Sequence, residues 1–141
     1  MPRYVADTAP RKYVAKPAIA SASDAARIVH AAIEHDGREH FVLVALDRRH
    51  RMISAAVLTI GSAPATVVDV RQVLVTALRA DATAIIVGHN HPSADPAPSN
   101  EDINVTRRLR AGCDAVGVVL LDHIVVTADA DVWVSLAERG Y

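Results

Sequence analysis

The sequence has a single cysteine and no long apolar run. Cys113 cannot form a disulfide within the chain, and a zinc site built on several cysteine thiolates is excluded. We expect Cys113 to be a small buried hydrophobic residue. No apolar stretch reaches the roughly 18 residues that span a bilayer, and the N-terminal segment lacks the apolar core of a secretory signal. These absences predict a cytoplasmic protein with no membrane association.

The sequence also has almost no net charge, at -1 over 141 residues. This balance argues against a protein that coats nucleic acid or a membrane surface. The basic pairs Arg48–Arg49 and Arg107–Arg108 are more typical of solvated turns and helix faces than of phosphate contacts. Because 51% of the residues are apolar, we expect one globular domain with a sizeable core.

Two segments are expected along the chain. Residues 1–20 carry three prolines and predict an extended N-terminal arm, which is either a loose tail or a strap that docks on the domain or a partner. Residues 21–141 mix helical and strand patterns, which predicts an α/β sandwich with a central, mostly buried sheet.

The periodicity predicts three helices and six strands. The first helix is capped by Ser21 or Ser23 and runs to about His35. The second covers about 70–80 after a capping Asp69, and the third begins at Ser99 and stops at Gly112. Strand patterns cover 40–46, 52–60, 83–88, 115–121, 123–128 and 132–135, and the second of these breaks at 61–64.

Side chains with metal-ligand chemistry are concentrated at 88–102, in the segment GHNHPSADPAPSNED. His89 and His91 lie two residues apart at the end of a predicted strand, so their side chains point to the same side. Asp102 is expected in the first turn of a helix, from which it projects back toward this loop. Two nitrogens and one oxygen leave the fourth position of a Zn²⁺ ion open, which is typical of catalytic zinc sites.

Each part of this pattern also has a plainer interpretation. Ser99 and Asp102 match a helix capping box, and the prolines match a turn-rich loop. Capping and metal binding are compatible, because capping would hold Asp102 where a ligand must lie. A zinc ion that only braces the fold is a further alternative.

A zinc hydrolase needs a general base, and the chain has only four glutamates. Glu39 enters the first buried strand and can reach a central site, although spacing alone fits a solvated charge at a strand edge equally well. Glu101 adjoins Asp102 but points about 100° away on a helix.

These segments resemble a known family. HNHPSADPAPSNED resembles the JAMM motif of MPN-domain metalloproteases, His-x-His-x7-Ser-x2-Asp, and EHFVLVALDRRHRMI, LLDHIVV and SLAERG resemble segments of RadC proteins. The similarity covers roughly 21–141 and implies an MPN (JAB/JAMM) domain, a central mixed sheet flanked by helices with cytidine-deaminase-like architecture. It also implies roles for five residues: zinc ligands for His89, His91 and Asp102, activation of the bound water for Glu39, and stabilisation of the tetrahedral intermediate for Ser99.

The resemblance implies a zinc-dependent metallopeptidase or isopeptidase that acts on an unidentified peptide or protein. The alternative is a non-catalytic or weakly active accessory protein in DNA repair or mobile-element biology. Longer RadC proteins carry an N-terminal helix-hairpin-helix region where this sequence has the short arm, so we expect no direct DNA binding. Exposed sheet edges favour pairing with a second copy, so a homodimer is one expectation.

Two residues depart from the family's pattern. Ala56 stands where the family often has a glutamate, and Ala94 replaces the glycine of HNHPSG; both bear on substrate preference and activity. His123, in LLDHIVV, either orients a metal ligand from the outer shell or makes a structural hydrogen bond at a strand start.

Overall fold

The protein forms a five-stranded sheet with helices on both faces. The structure is a computed structural model that describes residues 16–61 and 68–141. Its elements are, in chain order, α1 (Ala22–Ala32), β1 (Glu39–Leu46), β2 (Met52–Gly61), α2 (Val70–Arg79), β3 (Ala84–Asn90), α3 (Asn100–Val116), β4 (Val119–Val126) and β5 (Trp133–Ser135). The strand order is β2-β1-β3-β4-β5, with β3 and β4 parallel and the other neighbours antiparallel. This mixed sheet confirms the predicted α/β fold.

Alternation along the central strands builds a core on each face of the sheet. Phe41, Leu43 and Ala45 of β1 pack with α2 and α3. Val42 and Val44 point the other way and pack with α1. Because helices cover both faces, β1 and β3 are buried along almost their whole length, as their continuous apolar runs predict.

Gly88 lets α1 approach β3 closely. A Cβ atom at this position would lie 2.4 Å from Cγ1 of Val29, which real Cβ contacts do not tolerate. Any larger residue at Gly88 would therefore push α1 away from the strand. Since His89 follows directly, this packing also holds the strand end that carries the candidate site.

The prediction that Gly112 stops the third helix is wrong. The helix α3 passes through Gly112, where a Cβ atom would lie 3.0 Å from Cδ1 of Leu74, so this glycine allows α2 and α3 to pack. The helix ends at Val116, and Gly117 caps it in the left-handed conformation with φ of 76°. Helical spacing at Gly112 did not distinguish a packing glycine from a capping one.

The predicted strands at 115–121 and 123–128 form one strand, β4. Residues 115–117 belong to α3 and its cap. Asp122 lies inside the strand because its carboxylate is fully engaged: it accepts hydrogen bonds from Oγ of Ser135 at 2.5 Å and from the N–H of Ala137 at 3.1 Å. A buried carboxylate whose oxygens are hydrogen-bonded in this way can lie within a strand.

The helix α1 is capped by Ser21 and ends at Ala32, short of the predicted end near His35. The last residues of the predicted arm dock on the β1–β2 turn, since the N–H of Ile19 donates to the carbonyl of His50 at 2.9 Å. The rest of the arm, 1–15, lies outside the described residues, and so does most of the predicted break at 61–64. Across 16–61 and 68–141, no helix is long and apolar enough to cross a membrane.

Candidate metal centre

Three polar side chains meet at the carboxyl end of β3. His89 belongs to β3, His91 follows the strand, and Asp102 lies in the first turn of α3. The Nε2 atoms of His89 and His91 are 3.0 Å apart, and each lies 3.1 Å from a carboxylate oxygen of Asp102. The structure thus brings together the three residues that the sequence singles out, and they form a group able to hold a metal ion.

Asp102 is held in place by a capping box. The N–H of Ser99 donates to Oδ2 of Asp102 at 2.8 Å, and the N–H of Asp102 donates to Oγ of Ser99 at 3.1 Å. Burial opposes ionisation of this carboxyl, but its contacts with His89 and His91 outweigh burial and hold the pKa of Asp102 well below its usual range. The carboxylate of Asp102 can therefore cap α3 and serve as a metal ligand at the same time.

The loop after β3 determines which ring nitrogen of His91 carries the proton. Its Nδ1 lies 2.9 Å from the backbone carbonyl of Asp95. A carbonyl oxygen only accepts, so Nδ1 of His91 carries the proton. The lone pair of His91 is left on Nε2, which faces His89 and Asp102. The side chain of Asp95 is exposed, yet its backbone carbonyl orients a candidate ligand.

The proton of His89 is placed by a buried chain of hydrogen bonds. The hydroxyl of Thr106 donates to the carbonyl of Asp102 at 2.7 Å, so its oxygen accepts from Nδ1 of His123, also at 2.7 Å. The Nε2 atom of His123 then accepts from Nδ1 of His89 at 2.8 Å. Burial lowers the pKa of His123 well below its usual value, which keeps the ring neutral. This chain leaves the lone pair of His89 on Nε2.

Two imidazole lone pairs and one carboxylate therefore converge, and such acceptors repel unless a cation lies among them. Metal–ligand distances near 2.0–2.1 Å in a tetrahedron put neighbouring ligand atoms about 3.3 Å apart, close to the observed 3.0–3.1 Å. Without a metal ion, a proton is the substitute: the hydrogen bond to Asp102 raises the pKa of His91. The donor set fits a divalent ion such as Zn²⁺.

Glu39 and Ser99 line a cleft of about 270 Å³ beside these atoms. Phe41 stands opposite His89 in the β1–β3 register, so Glu39, two residues earlier, falls on the face that carries the histidines. Burial raises the pKa of Glu39, and the nearby histidines oppose that rise. Glu101 also borders the cleft, but it is exposed.

Sequence reasoning missed two residues near the site, Thr106 and Asn90. Thr106 lies four residues after Asp102 on α3, a spacing that puts both on one helix face and that could have indicated it. Asn90 lies between the two histidines, but its partners are His40 in β1 and Arg38 just before it, some 50 residues away in the chain. His123 contacts His89 directly, so the structure favours the ligand-orienting interpretation of this residue.

The two departures from the family's pattern lie in different surroundings. Ala94 has a φ of 69°, in the left-handed region, and its N–H donates to the carbonyl of His91 at 3.2 Å. Glycine adopts this backbone without strain, which explains the family's preference at this position. Ala56 is half-buried on the edge strand β2, opposite Leu43.

Comparisons with known proteins show the family of this chain. The model of the RadC-like JAB domain family matches residues 19–141, and the chain belongs to this family. It is 42% identical over 126 residues to a UPF0758 protein of Shouchella clausii, covering 89% of this chain and 54% of that protein. A UPF0758 protein of Desulfitobacterium hafniense is 38% identical over 125 residues, with the same two coverages. The chain thus spans about half the length of these relatives.

Proposed function

We propose that this chain is a zinc-dependent metallopeptidase or isopeptidase, which hydrolyses a peptide or isopeptide bond of a protein substrate. The observation that carries the proposal is the convergence of two histidine lone pairs and the Asp102 carboxylate within 3.0–3.1 Å of one another, at the wall of an open cleft. Three protein ligands and access from solvent are the features of a catalytic rather than a structural zinc site.

The chain's own residues supply the remaining chemistry. When bound, Zn²⁺ contributes Lewis acidity, which polarises the scissile carbonyl and acidifies water. Glu39 takes up a proton from the attacking water and returns it to the leaving amine, and its raised pKa brings it closer to neutral pH for both steps. Oγ of Ser99 accepts the N–H of Asp102, so its hydroxyl proton remains available to the developing oxyanion.

Replacing the general base separates metal binding from hydrolysis. Metal analysis of wild type and Glu39→Gln is run beside a screen of peptide and isopeptide substrates, with Glu34→Gln as the matched control. Glu39→Gln is expected to keep its zinc and lose about 10²–10⁴-fold in hydrolysis. Glu34 is exposed after α1, so its variant should match wild type in both measurements. Loss of zinc from Glu39→Gln, or undiminished turnover, would contradict the role of Glu39.

The alternative of a non-catalytic accessory protein is an outcome of the same screen. A wild-type protein that binds zinc in its cleft and hydrolyses none of the substrates would favour it. A salt-dependent mobility shift with plain DNA would then support a role close to nucleic acid. The absence of any shift at low salt would direct the search toward protein partners.

A further inference from the structure

Asn90 joins the strand of the metal ligands to the backbone around Glu39. It lies between His89 and His91 and is only 3% exposed. Its Oδ1 accepts the N–H of His40 at 2.7 Å, and its Nδ2 donates to the carbonyl of Arg38 at 2.9 Å. These two backbone groups lie on either side of Glu39, so the side-chain amide of Asn90 is hydrogen-bonded to the chain both before and after this residue.

The orientation of this amide follows from its partners. A backbone N–H only donates and a backbone carbonyl only accepts, so the oxygen of Asn90 must face His40 and its nitrogen must face Arg38. Reversing the amide would break both contacts at once. An alanine here would break them without a replacement, and an aspartate would keep the acceptor and lose the donor.

The hydrogen bonds of Asn90 connect β3 to β1 beyond the last residue pair of the sheet. The register between β1 and β3 runs up to Phe41 opposite His89. Glu39 lies two residues beyond this pair, at the start of β1, and its other strand neighbour is Gly61 at the end of β2. The amide of Asn90 therefore extends the link between β1 and β3 to the residues that flank the carboxylate.

We propose that Asn90 is a positioning residue that fixes Glu39 relative to the metal ligands, an inference that rests on the proposed function of Glu39. The segment that carries His89 and His91 thereby also sets the position of Glu39. A displacement of about 1 Å in a reacting group can cost on the order of 10²-fold in rate. Asn90 acts through the backbone of β1, so its loss should spare the ligands themselves.

The test compares Asn90→Ala with Asn104→Ala, a control on the exposed side of α3. The first readout is zinc affinity, which Asn90→Ala should leave within about threefold of wild type, because all three ligands remain. The second is amide hydrogen exchange. The His40 amide should exchange at least about tenfold faster in Asn90→Ala, while that of Leu43, in the middle of β1, keeps its protection.

The third readout is spectroscopic and needs no substrate. With only four glutamates in the chain, the carboxyl ¹³C resonance of Glu39 can be assigned by its loss in Glu39→Gln. Zinc addition should shift this resonance in wild type and in Asn104→Ala, and by less than about half as much in Asn90→Ala. An undiminished shift, or an unchanged His40 exchange rate, would overturn the proposal.

Once a substrate is found, its turnover can be measured in a double-mutant cycle of Asn90 and Glu39. Asn90→Ala should lower turnover by about 10²-fold in the wild-type background and by almost nothing in Glu39→Gln, because it acts through Glu39. Fully additive losses would contradict this. If Asn90→Ala does not fold, Asn90→Asp, which retains an acceptor for His40, should still lower turnover. If wild type hydrolyses nothing, the proposed function fails, while exchange and ¹³C shifts still decide the role of Asn90.

Discussion

The two sides of the candidate metal centre are built differently. One side, which we name the wall, consists of His89, Asp102, Thr106 and His123, all at most 2% exposed. The other side, the rim, consists of Glu39, Ala94 and Glu101, which are half-buried or exposed. Hydrogen bonds of 2.7–2.8 Å link the wall residues to one another, whereas Glu39 and Glu101 of the rim border the open cleft.

This difference between the wall and the rim suits them to two different tasks, metal binding and catalysis. The hydrogen bonds of the wall determine which ring nitrogens of His89 and His123 carry protons in the absence of a metal ion. The wall is therefore preorganised for metal binding. The rim holds the groups that would meet water and substrate, and its residues are easier to replace without unfolding the domain. Metal affinity should therefore depend on the wall and the ligands, and turnover should depend in addition on the rim.

The largest expected effect is the loss of a ligand. His91→Ala removes one of the three ligand atoms and should weaken zinc binding by more than about 100-fold, beyond what a lost outer-shell partner costs. His35→Ala is the control, since His35 is exposed and its ring packs on His30. Metal content after dialysis against a weak chelator gives the comparison. Equal zinc content in the two variants would show that the ion binds elsewhere.

The next effect tests whether the wall sets the lone pair of His89. Thr106→Val removes the acceptor for Nδ1 of His123, so the proton of His123 can move to Nε2 and that of His89 to the atom that should bind zinc. We expect zinc affinity to fall about 10–100-fold.

The matched control for this change is Thr76→Val. The hydroxyl of Thr76 also donates to a carbonyl four residues earlier, that of Gln72, but on α2 and away from the centre. Competition with a chromophoric chelator measures both variants. If Thr76→Val and Thr106→Val weaken zinc binding equally, the hydrogen-bond chain of the wall does not tune the ion.

Zinc affinity should also depend on pH through His91. Asp102 raises the pKa of His91 above its ordinary value of 6.5, and zinc needs the neutral ring. Acid therefore weakens binding: as pH falls through this raised pKa, affinity should drop by about tenfold per pH unit. Asp102 remains ionised over this range. Titrations between about pH 6 and about pH 8 check the slope, and a flat profile would contradict the assignment.

The smallest expected effect lies on the rim, at Ala94. A non-glycine residue in the left-handed region costs about 1–2 kcal/mol, and the extra freedom of glycine in the unfolded chain offsets about 0.5–1 kcal/mol of that. Ala94→Gly should therefore raise the free energy of unfolding by about 0.5–1 kcal/mol with zinc affinity unchanged. Chemical denaturation measures it. A decrease in stability would show that Ala94 is not strained.

The three ligands could be proposed from the sequence because local signals indicate them, whereas spacing left Glu39 undecided and only the family resemblance assigned its role. The side chains of His89 and His91 point to the same side of the chain at the end of β3, and Asp102 occupies a capping position three residues after Ser99. The contact of His123 with His89 joins residues 34 apart in the chain, and nothing in the local pattern encodes that distance. Gly112 shows the same limit: only the packing of α2 against α3 tells this glycine from the capping Gly117.

We propose that His89, His91 and Asp102 bind one metal ion through the two Nε2 atoms and a carboxylate oxygen. Anomalous diffraction at the zinc edge, from crystals of zinc-loaded protein, locates the ion. A single strong peak is expected about 2.0–2.2 Å from each of the three ligand atoms. A peak bound through Nδ1 of either histidine, or no peak in the cleft at saturating zinc, would contradict it.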